Sequence, residues 1–131
     1  MNGTARRLIV TGAVLAFLGV ALGAFGAHAL KTRIEPELLS AYQTGVQYHL
    51  VHALGVILVG VLVQVLPPAT RGSKALVASG WTMMIGLILF SGSLYLLALS
   101  GVRSLGIVTP FGGMALLTAW LMLVVGMIKS R

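Results

Sequence analysis

The sequence predicts an all-α integral membrane protein: a four-helix bundle with antiparallel neighbours and both termini on the cytoplasmic side. Three observations carry this. Of 131 residues, 58% are hydrophobic and only 8% are charged, against about 45–50% and about 25% in a soluble domain. A soluble fold this small could not hide so much apolar surface, so lipid must be the solvent of its outer faces. Four runs each hold at least about 20 largely apolar residues, the length a helix needs to cross a bilayer core. No run alternates with the two-residue period of a barrel strand. A single membrane domain over residues 1–131 is expected.

The first span, approximately 8–30, carries no charge between Leu8 and Leu30. Arg6 and Arg7 ahead of it, and Ala27-His28-Ala29 at its end, imitate a cleavable signal. The apolar run exceeds the about 7–15 residues of a signal core, so the segment is expected to be retained. Gly19, Gly23 and Ala27 are four apart, and Gly12 and Ala16 form a second such pair. Small residues at this spacing let helices approach closely in lipid, within one bundle or between copies.

Residues 31–46 read as an interfacial connection, and the second span as approximately 47–66. Pro36 suits the first turn of a helix, where its missing N–H is not needed. Glu35 and Glu37 suit the positive end of that helix's dipole. A helix could therefore run from Pro36 to Leu66, where Pro67-Pro68 ends it. The polar stretch Ser40–Tyr48 then either lies in the interface, bending near Gly45, or stands outside as the first turns of one long helix. The third span is approximately 75–99. The fourth, approximately 105–128, enters through Thr109-Pro110-Phe111-Gly112-Gly113, and the paired glycines mark a helix start that packs tightly.

Loop charges set the orientation. Arg6, Arg7, Arg71, Lys74, Lys129 and Arg131 fall on the side of the termini, against Lys31, Arg33 and Arg103 on the other. The richer side is expected inside. The net charge of +7 sits in short flanks rather than along one stripe. That pattern fits anionic lipid headgroups and argues against nucleic acid. Cysteine is absent, which excludes disulfides and thiolate chemistry.

This topology sends the polar residues to one depth. His28 closes the first span, and Gln43, Gln47, Tyr48, His49 and His52 open the second. Ser91, Ser93 and Tyr95 lie in the outer half of the third, and Thr109 opens the fourth. Unpaired polar groups at membrane depth cost several kcal/mol, so a cluster is expected near the face opposite the termini. His28 and His52 are expected to approach closely enough for a direct or water-bridged contact. An intramembrane ionisable residue is by default a functional-site hypothesis.

Three readings of the cluster compete. The histidines satisfy one another, backbone carbonyls or water, and fix helix register. Alternatively, histidine and tyrosine relay protons or bind a quinone-like headgroup. A metal site is the third, but no His-x-x-x-His pair exists and the carboxylates lie in a loop, so no metal or cofactor is expected. Tyr42 and Tyr48 read as interface anchors, and Trp81 likewise at the inner face. No nucleophile, base and orienting acid can be named together, so an enzyme is not expected.

Four strings together resemble one family: GAFGAHAL at Gly23–Leu30, YQTGVQYHLVHAL at Tyr42–Leu54, LFSGSLYLLALSG at Leu89–Gly101 and LGIVTPFGG at Leu105–Gly113. They are similar to the domain-of-unknown-function family 423, widespread in bacteria and with a mitochondrial-type animal relative. The resemblance implies a four-helix protein of bacterial inner membranes and related organelles, and no activity. It singles out Gly26, His28, Gln47, Tyr48, His52, Ser91, Gly92, Ser93, Tyr95, Thr109, Pro110, Gly112 and Gly113. Val51 stands where many relatives carry an aromatic residue, and Thr118-Ala119 replaces a more usual glycine before Trp120.

The expected function is therefore that of an accessory or scaffold subunit acting through helix–helix contacts. Membrane lipids, a homo-oligomer or a larger membrane complex are its expected partners. The competing expectations are a lipid- or quinone-headgroup module built on the outer cluster, and a small oligomeric transporter or channel lined by His28 and His52.

Overall fold

The computed structural model describes residues 1–67 and 72–130. Pro68, Arg71 and Arg131, which enter the reading of the second connection and the loop charges, lie outside them. Among the described residues the chain is all-helical, with no strand. Helix α1 is Gly3–Phe25, capped by the Asn2 side chain, which accepts from the Thr4 N–H at 2.9 Å. It continues as a wider π-helical turn, Gly26–Leu30. Helix α2 is Pro36–Val65 and α3 is Ser73–Ser100. A short 3-10 turn, Arg103–Ile107, leads into α4, Thr109–Lys129. All four, counted with their adjoining turns, are long and apolar enough to cross a membrane.

The helix ends follow local chemistry. Pro36 holds the first position of α2 with Glu37 in its first turn. Gly101 takes the left-handed conformation that ends α3, at φ +71°. Residues 36–46 take the second of the two expected forms: they are the first turns of one long helix α2, and only 31–35 remain to join the first two helices. No proline interrupts the helix after Pro36, and Gly45 sits inside it against the Tyr95 ring.

Helix α1 packs on α2, α2 on α3 and α3 on α4, whereas α1 meets α3 only weakly. The middle pair buries most. Helices α1 and α4 turn wide apolar faces outward, including Phe17 and Val20 on one and Leu117, Leu121 and Ile128 on the other. The main core gathers Leu8, Val56, Val59, Leu76, Met83 and Leu116. A second cluster, Leu30, Tyr42 and Ala98, forms where α1 ends and α2 begins.

Glycines set the closest approaches. Along α1, Gly12 lies against Ala53 and Ile57, Gly19 against His49 and Leu50, Gly23 against Val46 and Gly26 against Tyr42. A Cβ at Gly12 would stand 2.9 Å from the Ala53 carbonyl oxygen, so nothing larger fits without moving backbone. Ala27 is exposed and leaves this stripe, with Gly26 in its place. The π-helical turn that starts there alters the side-chain spacing on which the four-residue rule depends. On α4, Gly112 presses on the backbone of Phe90, while Gly113 leaves ordinary clearance to its ring at 3.7 Å.

Candidate functional site

The polar side chains do not form one cluster. They form two knots, one on each side of the α2–α3 pair. The first lies among α1, α2 and α3. His49 is 4% exposed, with Nε2 2.7 Å from the Leu15 carbonyl oxygen and Nδ1 2.9 Å from the Tyr95 hydroxyl. A carbonyl only accepts, so Nε2 carries the proton and Nδ1 accepts from Tyr95. Both ring nitrogens are engaged. Two turns outward, Tyr42 is wholly buried and donates to the Leu22 carbonyl at 2.5 Å. The Tyr42 and Tyr95 rings lie 5.2 Å apart. Ser91 closes this side, donating from α3 to the Gly45 carbonyl of α2 at 2.7 Å.

A single device builds both contacts to α1. Each accepting carbonyl, Leu15 or Leu22, precedes a glycine by four residues, Gly19 or Gly26. A side chain at that position would cover the carbonyl: a Cβ at Gly26 would stand 2.5 Å from Tyr42 Cε1, and one at Gly19 3.2 Å from His49 Cδ2. The glycines are seven apart, and so are Tyr42 and His49, which places each pair on one face of its helix.

The second knot lies among α2, α3 and α4. His52 Nδ1 is 2.7 Å from the Tyr48 carbonyl oxygen, so it carries the proton, and Nε2 accepts from the Trp120 indole N–H at 3.1 Å. His52 is therefore the opposite tautomer from His49, and equally engaged. The Tyr48 ring stacks on His52 at 5.8 Å and meets Phe90 at 4.5 Å, while remaining 42% exposed. Outward from there, Ser93 donates to the Phe90 carbonyl at 2.9 Å and meets Thr109 Oγ1 at 2.6 Å. Since the Ser93 proton is committed, Thr109 is the donor of that pair.

His28 joins neither knot. It is exposed in the π-helical turn, and no side-chain hydrogen bond reaches it among the described residues. Gly26 in that turn faces Tyr42, whereas His52 lies ten residues farther along α2, about 15 Å deeper at helical rise, and faces α4. The expected His28–His52 contact is therefore absent. Gln47 is exposed as well. Tyr42, read as an interface anchor, is a core residue instead. Sequence reasoning left Trp120 out of the cluster, although an indole N–H inside a span must find an acceptor. No group of three metal-ligating side chains gathers among the described residues.

Outside the apolar spans, Arg103 pairs with Glu37 at 3.1 Å and approaches Glu35 at 3.9 Å, all three exposed. The guanidinium, by hydrogen bond and charge, holds the Glu37 carboxyl below its ordinary range.

A family model described as "Protein of unknown function (DUF423)" matches residues 22–113, from the Leu22 carbonyl that Tyr42 reaches to the Gly113 beside Phe90. The chain belongs to the DUF423 family. Among its relatives, the UPF0382 membrane protein YwdK of Bacillus subtilis is 45% identical over 92% of this chain and 95% of its own length. The UPF0382 inner membrane protein YgdD of Escherichia coli is 38% identical over 98% and 94%. A UPF0382 membrane protein of Staphylococcus haemolyticus is 37% identical over 92% and 94%. No solved structure matches. With four apolar helices and these relatives, this DUF423 chain is an integral membrane protein of the bacterial inner-membrane type. The DUF423 match covers Tyr42, Ser91, Tyr95 and both buried histidines, while Leu15 and Gly19 of the first knot and Trp120 of the second lie outside it.

Proposed function

We propose that this protein is a membrane accessory or scaffold subunit, without catalytic activity, acting through its outer helix faces. The carrying observation is that both buried imidazoles have both ring nitrogens bonded inside the bundle. A proton relay or a headgroup site needs a free donor or acceptor at the histidines, and neither offers one. The inner half is filled by Leu8, Val56, Val59, Leu76 and Met83, which disfavours a water-filled path. What faces outward is apolar, above all on α1 and α4.

The proposal includes antiparallel neighbours with both termini on the cytoplasmic side. The glycine contacts support the first part: as numbers rise along α1 from Gly12 to Gly26, they fall along α2 from Ile57 to Tyr42. The excess of Arg and Lys on the side of the termini supports the second. The test is extraction of native membranes into lipid particles without detergent, followed by mass measurement. A scaffold gives particles carrying a stoichiometric protein partner or further copies of the chain. Particles holding one chain and lipid alone would overturn this reading.

A further inference from the structure

Because α1 and α3 barely touch, they leave a groove of about 500 Å³ between them, floored by His49 of α2. Leu18, Leu22 and Phe25 form one wall, and Ile88, Gly92 and Tyr95 the other. Gly92 is the telling residue. Glycine inside a helix costs about 1 kcal/mol relative to alanine, and along α1 and α2 the glycines from Gly12 to Gly60 each meet a neighbour that explains them. A Cβ at Gly92 would meet nothing within 4 Å. The glycine leaves that side of the groove open.

The size of the groove restricts the occupant. From Leu15 to Phe25 it is about 15 Å long. A hydrocarbon chain, about 4 Å wide by carbon contact distance, fits. The walls offer it almost no polar surface, since the His49, Ser91 and Tyr95 protons are already donated or balanced within the bundle.

The mouth is basic. Three residues beyond Phe25, in the π-helical turn, stands the exposed His28, followed by Lys31 and Arg33. The α3 stripe Ile88, Gly92, Tyr95 continues to Leu99, which lines the next concavity with Arg33. Glu35 also lines that concavity, but it and Glu37 face Arg103. Lys31 and Arg33 make no ion pair among the described residues. We infer that the α1–α3 groove holds one chain of an anionic phospholipid whose phosphate is bound by His28, Lys31 and Arg33.

The test uses the full chain in nanodiscs of equal phosphatidylglycerol and phosphatidylcholine, with retained lipids counted by native mass spectrometry. The wild type is expected to keep phosphatidylglycerol about thirtyfold over phosphatidylcholine, the order expected of two cations at a headgroup. Lys31→Gln with Arg33→Gln should bring the two lipids near parity without lowering the total. Gly92→Leu should lower retention of both several-fold, with helicity and melting midpoint kept. Soluble glycerol phosphate should displace nothing. Equal retention of both lipids by the wild type would overturn the inference, as would undiminished retention by Gly92→Leu or displacement by glycerol phosphate. Should Gly92→Leu fail to fold, the exposed double variant still decides: an unchanged preference there excludes the basic mouth.

Discussion

At His49, two hydrogen bonds tie three helices together, and each has a measurable worth. Bonds between membrane helices contribute about 0.6 kcal/mol on average and at most about 1.7. His49→Ala removes two of them and should destabilise the bundle by about 1–3 kcal/mol, read from reversible unfolding in mixed micelles. Tyr95→Phe removes one and should cost about 0.6 kcal/mol. The two losses should couple, because the hydroxyl and the imidazole share a bond. Strictly additive losses would mean that the Tyr95–His49 bond does not hold. Trp120→Phe keeps a ring beside His52 but removes its donor, and a small loss of similar size should follow. Exposed charges behave differently. Glu37→Gln should leave the melting midpoint within error, since an exposed ion pair contributes little.

At the scale of the helix, glycines sort by what faces them. Gly112 presses on the Phe90 backbone, and Gly26 on the Tyr42 ring. Alanine at either position gains helix propensity of about 1 kcal/mol but forces the neighbouring helix away, so a net destabilisation is expected. Gly92→Ala meets no atom of the chain within 4 Å and should stabilise by up to about 1 kcal/mol. Unfolding midpoints of the three variants measure this directly, and an equal sign for all three would contradict the packing described here. The same comparison shows how far the helices were legible in advance. Four apolar runs, Pro36 at a helix start and the proline and paired glycines opening α4 were all readable. The extent of α2 was not, because the polar stretch Ser40–Tyr48 reads equally as surface or as helix.

At the scale of the molecule, the need of these side chains for partners was legible and their placement was not: Trp120, read apart from the outer cluster, donates to His52, read within it. A soluble helix shows its inner face by contrast with a polar outer one. Here lipid accepts Leu and Val as readily as the core does, so that contrast is lost. His28 and His52 could therefore be placed near the outer half, yet nothing in their spacing showed that one is exposed and the other faces α4. The signal that was present is the repeat of seven, Gly19 and Gly26 against Tyr42 and His49. It becomes legible only once a glycine is read as uncovering the carbonyl four residues before it. The proposed orientation makes its own prediction at this scale. The chain has no cysteine, so Ser104→Cys should react with an impermeant maleimide on intact spheroplasts, and Ser130→Cys only after permeabilisation. The reverse pattern would invert the bundle.

The claim on which the account rests is that both buried histidines are engaged in joining helices and are free for nothing else. Nitrogen-15 spectra of the imidazoles in lipid bilayers test it most directly, because the two tautomers have distinct shifts. The account predicts His49 protonated at Nε2 and His52 at Nδ1, each as a single species, with the His49 signal altered by Tyr95→Phe and the His52 signal by Trp120→Phe. Exchanging tautomers, or one shared tautomer for both rings, would contradict it.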